Sequence, residues 1–211
     1  MRQLITLTVA AGLLAGCSVF GVRSGYEQPP YEVVEEIGDA IEVRRYGARV
    51  AAESRVETAD RDEGMDDAFM LLFDYITGAN QTEASIAMTA PVETAQTSEE
   101  IAMTVPVESA RNDDGILYMS FFLPAEYNAE TAPRPTDPKV SIVALPEQTF
   151  ATLRFTGLGS ESSVTAKKQE LLASLDGTPW RPTAKPVALF YDPPWTIPFL
   201  RRNEVAVAVE R

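Results

Sequence analysis

Asp62-Glu63-Gly64-Met65-Asp66-Asp67-Ala68-Phe69-Met70-Leu71-Leu72-Phe73-Asp74-Tyr75-Ile76-Thr77 is the stretch that decides how this chain folds. Met65, Phe69, Leu72, Phe73 and Ile76 fall at i, i+4, i+7, i+8 and i+11, one apolar stripe along a helix. Acidic residues crowd the first turn, where the helix dipole favours them, and Gly78 follows as a stop signal. Upstream, Ile41-Glu42-Val43-Arg44-Arg45-Tyr46 and residues 49–56 are rich in strand formers. Downstream, strand-like runs cover 117–123, 140–145 and 149–156, with a Pro-rich loop over 128–138. A second helical window, 163–175, is apolar at Val164, Leu171, Leu172 and Leu175 and stops before Gly177. Strands over 187–191 and 204–209 close the chain. Strands, helix and strands therefore occur twice. This order predicts an α+β fold, a distorted antiparallel β-barrel of two pseudo-symmetric halves with two α-helices packed outside.

A second internal likeness lies between the halves. Ile86-Ala87-Met88-Thr89-Ala90-Pro91-Val92-Glu93-Thr94-Ala95 recurs as Ile101-Ala102-Met103-Thr104-Val105-Pro106-Val107-Glu108-Ser109-Ala110. Two copies are too few for a solenoid. They read as the arms of a hairpin with residues 97–100 at its turn.

Composition removes whole classes of chemistry. The chain has 211 residues, 45% hydrophobic and 23% charged, with one Cys and no His. It is long enough to bury a core. One Cys makes no disulfide framework, and the absence of His removes His-dependent triads, HExxH zinc sites and His-ligated haem. The formal net charge is −13, which opposes any sequence-independent grip on nucleic acid. Gly157-x-Gly159 lacks the rest of a phosphate loop, and Asn112-Asp113-Asp114-Gly115 is a turn without calcium-loop spacing. No carboxylate pair stands in an apolar setting that predicts acid/base work.

The lone Cys gains meaning from its place. Met1-Arg2-Gln3 is a short basic start, residues 4–15 are apolar apart from Thr6 and Thr8, and Leu14-Ala15-Gly16-Cys17 follows. This pattern reads as a secretory signal, and its last four residues resemble the bacterial lipobox, whose Cys is acylated and becomes the first mature residue. The apolar run is too short to span about 30 Å of hydrocarbon. The expected organisation is a signal peptide over 1–16, an acylated Cys17 with a flexible tether to residue 30, and one folded domain over 31–211. Losing residues 1–16 removes one Arg and no acid, which shifts the charge from −13 to −14. Acyl chains, not a basic patch, would hold such a body at the membrane of a bacterial envelope, on its periplasmic face. Ser18 stands where an Asp favours inner-membrane retention in enteric bacteria, so the outer membrane is expected.

Several segments, taken in order, resemble the SOUL family of haem-binding proteins. They are Ile41 to Tyr46, Tyr75-Ile76-Thr77-Gly78-Ala79-Asn80, the two Ile-Ala-Met-Thr-x-Pro-Val copies, Phe121-Phe122-Leu123-Pro124, Arg154-Phe155-Thr156-Gly157 and Tyr191-Asp192-Pro193-Pro194-Trp195. Phe199-Leu200-Arg201-Arg202-Asn203-Glu204-Val205 completes the set, and the doubled Met-Thr-x-Pro-Val looks like the bacterial branch. The resemblance implies a distorted barrel of two similar halves and binding of haem or another tetrapyrrole. Haem needs an apolar slot, cations for its propionates and optionally an axial ligand. Phe69, Phe73 and Ile76 are candidates for the slot, with ordinary core packing as the alternative. Met88, Met103, Tyr75 and Tyr46 are candidate axial donors, each with a packing role as the alternative. Arg44, Arg45, Arg201 and Arg202 are forked donors for propionates or for surface acids, and Trp195 is a further candidate contact. Haem-binding members carry basic residues on the first helix, where this chain has Asp66, Asp67 and Asp74.

Three functions are then open. The first is non-catalytic binding of haem, another porphyrin or a similar amphipathic small molecule, with no protein metal site. The second is an enzyme that removes iron from tetrapyrroles. The third is an envelope interaction module that has kept the fold and lost the ligand.

Overall fold

The computed structural model describes residues 27–58, 60–83, 96–97, 101, 106–111, 116–192 and 195–211. In chain order the strands are β1 (Tyr31–Ile37), β2 (Ile41–Tyr46), β3 (Arg49–Glu57), β4 (Asn80–Glu83), β5 (Gln96–Thr97), β6 (Val107–Arg111) and β7 (Ile116–Phe122). After these come β8 (Arg134–Pro135), β9 (Val140–Leu145), β10 (Gln148–Phe155), β11 (Arg181–Pro182), β12 (Val187–Phe190) and β13 (Asn203–Glu210). The helices are α1 (Arg61–Ile76) and α2 (Glu161–Ser174), and Pro198–Leu200 forms a 3₁₀ turn. The chain divides into two units, Val33–Arg44 with Phe150–Arg211 (unit one) and Glu27–Glu32 with Arg45–Thr149 (unit two). Both follow one plan, antiparallel strands covered by a single helix, and the α+β class is as expected.

In unit two the strands run β6-β7-β3-β9. Strand alternation sends Val50, Ala52 and Val56 into the core with Leu117, Met119 and Phe121 of β7. α1 lays Ala68, Leu72, Tyr75 and Ile76 on that face. The hydroxyl of buried Ser54 donates to the carbonyl of Ala68 at 3.0 Å, so β3 also holds the helix by a polar contact. Asp60 caps α1, its carboxylate accepting from the N–H groups of Asp62 and Glu63. The helix therefore starts at Arg61, one residue before the expected Asp62.

In unit one the order is β1-β2-β10-β13-β12, with β11 on the far end of β13. Val205 opposes Leu153 on one side and Ala188 on the other, and Val207 opposes Ala151. α2 adds Val164, Leu171 and Leu175 to this core. Ser160 caps α2 through Ser163 N–H, which explains a start at Glu161 instead of residue 163. Leu72 and Leu171, both fully buried, each contribute about 1.5–3 kcal/mol of transfer free energy.

Three local differences from expectation have physical causes. Thr97 is not a turn residue: it pairs with Thr82 as part of β5 on β4. The Pro-rich loop contains β8, because Arg134 and Pro135 pair with Gln81 and Asn80. β1 forms over a polar run, Glu32, Glu35 and Glu36 among it, that offers no alternation to read. Residues 1–26 (the expected signal segment among them), both Met of the repeats and most of the repeats themselves lie outside the described residues. Among the described residues no helix is long and apolar enough to cross a membrane.

Candidate functional site

The sites begin with strand alternation. In unit one, Val205 and Val207 face the helix-side core, so Glu204 and its neighbours Ala206 and Ala208 face the other way. Glu204 is fully buried there. Arg44, 3% exposed, meets it with both terminal nitrogens, Nη1 to Oε2 at 2.7 Å and Nη2 to Oε1 at 3.2 Å. Arg44 also donates from Nε to Glu42 at 2.7 Å. Arg202 approaches from the other side, Nε to Oε1 at 2.9 Å, and its guanidinium lies 3.9 Å over the ring of Tyr191. The Tyr191 hydroxyl completes the set, donating to Oε2 at 2.7 Å. Burial alone would raise the Glu204 pKa; the hydrogen bonds and charges of Arg44 and Arg202 outweigh it and hold the carboxylate below its ordinary range. Arg44 and Arg202 thus converge on one buried carboxylate.

Arg201 has a different setting. Its Nε donates to the carbonyl of Thr196 at 2.8 Å and Nη1 approaches the carbonyl of Leu158 at 3.4 Å. Gly157 N–H also donates to Pro198 O at 3.0 Å, so the loop after β10 and the loop before β13 are tied together. Gly159 permits the approach, since a Cβ there, at φ +68°, would sit 2.7 Å from the Phe190 ring. On these two tied loops stand Leu158 (68% exposed), Trp195 (65%), Phe199 (72%) and Leu200 (36%). Exposed large apolar side chains on a folded unit are the kind of surface that interaction sites use.

Unit two brings together the other candidates. Phe69 and Phe73 stack with centroids 6.0 Å apart, and Phe69 meets Phe121 edge-on at 5.5 Å. Phe69 belongs to the core margin, whereas Phe73 and Met70 reach solvent. Tyr75 is 1% exposed and donates its hydroxyl to Pro133 O at 2.9 Å, a structural hydrogen bond. Tyr46 is buried too, with the Arg49 guanidinium 4.8 Å from its ring centroid and 5.2 Å from that of Phe122. Beside α1 a cleft of about 240 Å³ is lined by Leu71, Asp74, Tyr75, Ala79, Pro135, Thr136, Asp137, Pro138 and Val140. Across the sheet, Glu53 and Glu108 both sit opposite Ser120, on the face away from α1. Burial pushes both carboxyls up, most strongly opposed at Glu108 by the charge of Arg49.

The expected residues therefore fall into separate groups. Arg44, Arg201, Arg202 and Trp195 belong to unit one, and Phe69, Phe73 and Tyr75 to unit two. Cys17 and Met88 lie outside the described residues. Sequence reasoning missed Glu204, the centre of the arginine cluster, although an acid leading the apolar run Val205 to Val209 is a detectable signal. It missed Leu158 and Phe199 because single apolar residues in loops carry no periodicity. Glu53 and Glu108 escaped because only strand register brings them level.

Residues 26–208 match the profile of the family described as SOUL heme-binding protein. The chain is 28% identical over 188 residues to "Heme-binding protein 1" of Xenopus tropicalis, covering 89% of this chain and 93% of that protein. It is 30% identical over 163 residues to "Heme-binding protein 2" of Homo sapiens, covering 76% and 73%. Among solved structures it is similar to the EcmrR C-terminal domain, with a TM-score of 0.56 at 11% identity over 86% of this chain and 98% of that one. That likeness is one of fold.

Proposed function

The chain belongs to the SOUL heme-binding protein family, and we propose that it is a lipid-anchored envelope protein that binds haem, another porphyrin or a similar amphipathic molecule without altering it. The observation that carries the ligand reading is the exposed set Leu158, Trp195, Phe199 and Leu200 beside Arg201 in unit one. Trp and Phe rings supply a flat apolar surface for a macrocycle. Arg201, part-buried and held by the carbonyl of Thr196, is the forked donor placed to take a carboxylate. Arg44 and Arg202 pair with Glu204 and would support this surface through the buried cluster.

Haem fits these residues as a stacked amphiphile. The chain offers the haem iron no His, the hydroxyls of Tyr75 and Tyr191 donate to Pro133 and Glu204, and Met88 and Met103 lie outside the described residues. Among the described residues no group of three metal-binding side chains comes together. Ring stacking and Arg201 then carry the affinity, and a metal-free porphyrin should bind about as well as haemin.

The anchoring reading rests on Leu14-Ala15-Gly16-Cys17 and on a mature charge of −14, which anionic headgroups repel. Cys17→Ser should abolish fatty-acid labelling and release the chain from the membrane fraction, with Ser18 directing the acylated form to the outer membrane. For the ligand, haemin and protoporphyrin titrations of the Trp180→Phe chain would be followed by fluorescence of Trp195. Quenching by both at micromolar concentration, with recovery of unchanged ligand, is expected. Arg201→Glu should weaken binding about tenfold, the loss of one charge-assisted contact. No quenching, or conversion of the ligand, would overturn the reading.

A further inference from the structure

The outer face of α1 in unit two is unlike any other helix face described. Asp62, Glu63, Asp66, Asp67, Met70, Phe73, Asp74 and Thr77 are all exposed. At 100° per residue they share one side of the helix. No Lys or Arg occurs from Asp62 to Thr77. Met70 (51% exposed) and Phe73 (36%) are one helical turn apart and form a ridge within this field of five carboxylates. Beside the ridge lies the 240 Å³ cleft, with Leu71, Pro135 and Val140 among its walls and Asp74 and Asp137 among its polar groups. Arg134 and Lys139 flank the Pro135–Pro138 wall in sequence and Arg61 opens the helix, so six carboxylates stand against three cations.

We propose that this face docks a basic segment of a partner protein, one that sets an apolar side chain against Met70, Phe73 and the cleft and its Lys or Arg side chains against the α1 carboxylates. Charge complementarity selects the occupant. An anionic bilayer or a second copy of this chain, itself of net charge −13, meets the same carboxylates with repulsion. Met is well suited to such a surface because its flexible thioether adapts to different partner side chains. The cleft is below the roughly 300–1,000 Å³ of small-molecule pockets, a size that suits one inserted side chain.

The test uses the full chain and a fluorescein-labelled amphipathic peptide built from Lys and Leu in helical repeat. Asp67→Lys/Asp74→Lys should weaken peptide binding about tenfold or more, and Glu36→Lys/Asp39→Lys, an equal charge change in unit one, by less than about twofold. Met70→Ser/Phe73→Ser, which leaves charge untouched, should weaken it about fivefold or more. Equal effects of the two charge reversals, or no effect of the Met70 and Phe73 changes, would overturn the proposal. So would a wild-type dimer in sedimentation that Met70→Ser/Phe73→Ser converts to monomer. Porphyrin binding in unit one reads out separately through Trp195, and its failure would leave this result standing.

Discussion

Units one and two share a plan and differ in what they do with charge on the sheet face turned away from the helix. In unit one, Glu204 is buried and answered by Arg44, Arg202 and Tyr191, and its carboxylate is held down. In unit two, Glu53 and Glu108 are level across β3, β7 and β6, and burial pushes both up. Arg49, whose guanidinium lies over the rings of Tyr46 and Phe122, acts on Glu108 through its charge, against the rise that burial imposes. The lesson is that a buried acid is a fixed structural element or a titratable one according to the partners within hydrogen-bond reach.

Removing the acid is the strongest way to break this contrast. Glu204→Gln leaves two buried guanidiniums facing a neutral amide and should cost about 3–5 kcal/mol in urea unfolding at pH 7. Glu108→Gln removes a group whose ionisation burial opposes, and should cost under about 1 kcal/mol. Equal losses would erase the distinction between the units.

Acid titration sharpens it with opposite signs. A raised carboxyl destabilises the fold when ionised, so lowering the pH from 7 through the raised values of Glu53 and Glu108 toward about 4.3 should increase stability. Glu204 is depressed, so its contribution is present above about 4.3 and is lost as the pH falls through its lower folded value. Unfolding midpoints against pH should rise and then fall. In Glu108→Gln the rise should shrink while the fall remains; an unchanged rise would reassign the effect.

The helix starts give the smallest comparison. Asp60 accepts from two N–H groups at 2.9 and 3.2 Å, and Ser160 from one at 3.4 Å. Asp60→Ala should therefore cost about 1 kcal/mol and Ser160→Ala less, measured by thermal unfolding. The reverse order would show that hydrogen-bond count does not rank these caps.

Strand and helix placement was largely legible because the signals are local. The i, i+4, i+7, i+8 stripe of α1 and the strand-like runs of β9 and β13 need only neighbouring residues. Arg44, Arg201 and Arg202 were legible as important cations, but their division of labour was not. Which of them meets Glu204 depends on pairings between strands far apart in the chain, as does the level placement of Glu53 and Glu108. The exposed ridge of Met70 and Phe73 was hidden for the opposite reason. Apolar residues on a helix are expected to face inward, and only the packed structure shows that Leu72 and Ile76 take the interior while Phe73 does not.

The Arg44–Glu204 contact has a consequence for biogenesis. It joins residues 160 positions apart, whereas nearly all of unit two lies in the one continuous stretch Arg45–Thr149. The pairings of unit two, the longest being β3 with β9, close within that stretch, whereas unit one must hold Val33–Arg44 in waiting until β13 arrives. During that interval Arg44 has no carboxylate from β13, and a chain lacking β13 would keep its guanidinium in water and its β2 unburied. The buried ion cluster thus forms only after the chain has been delivered through Glu204.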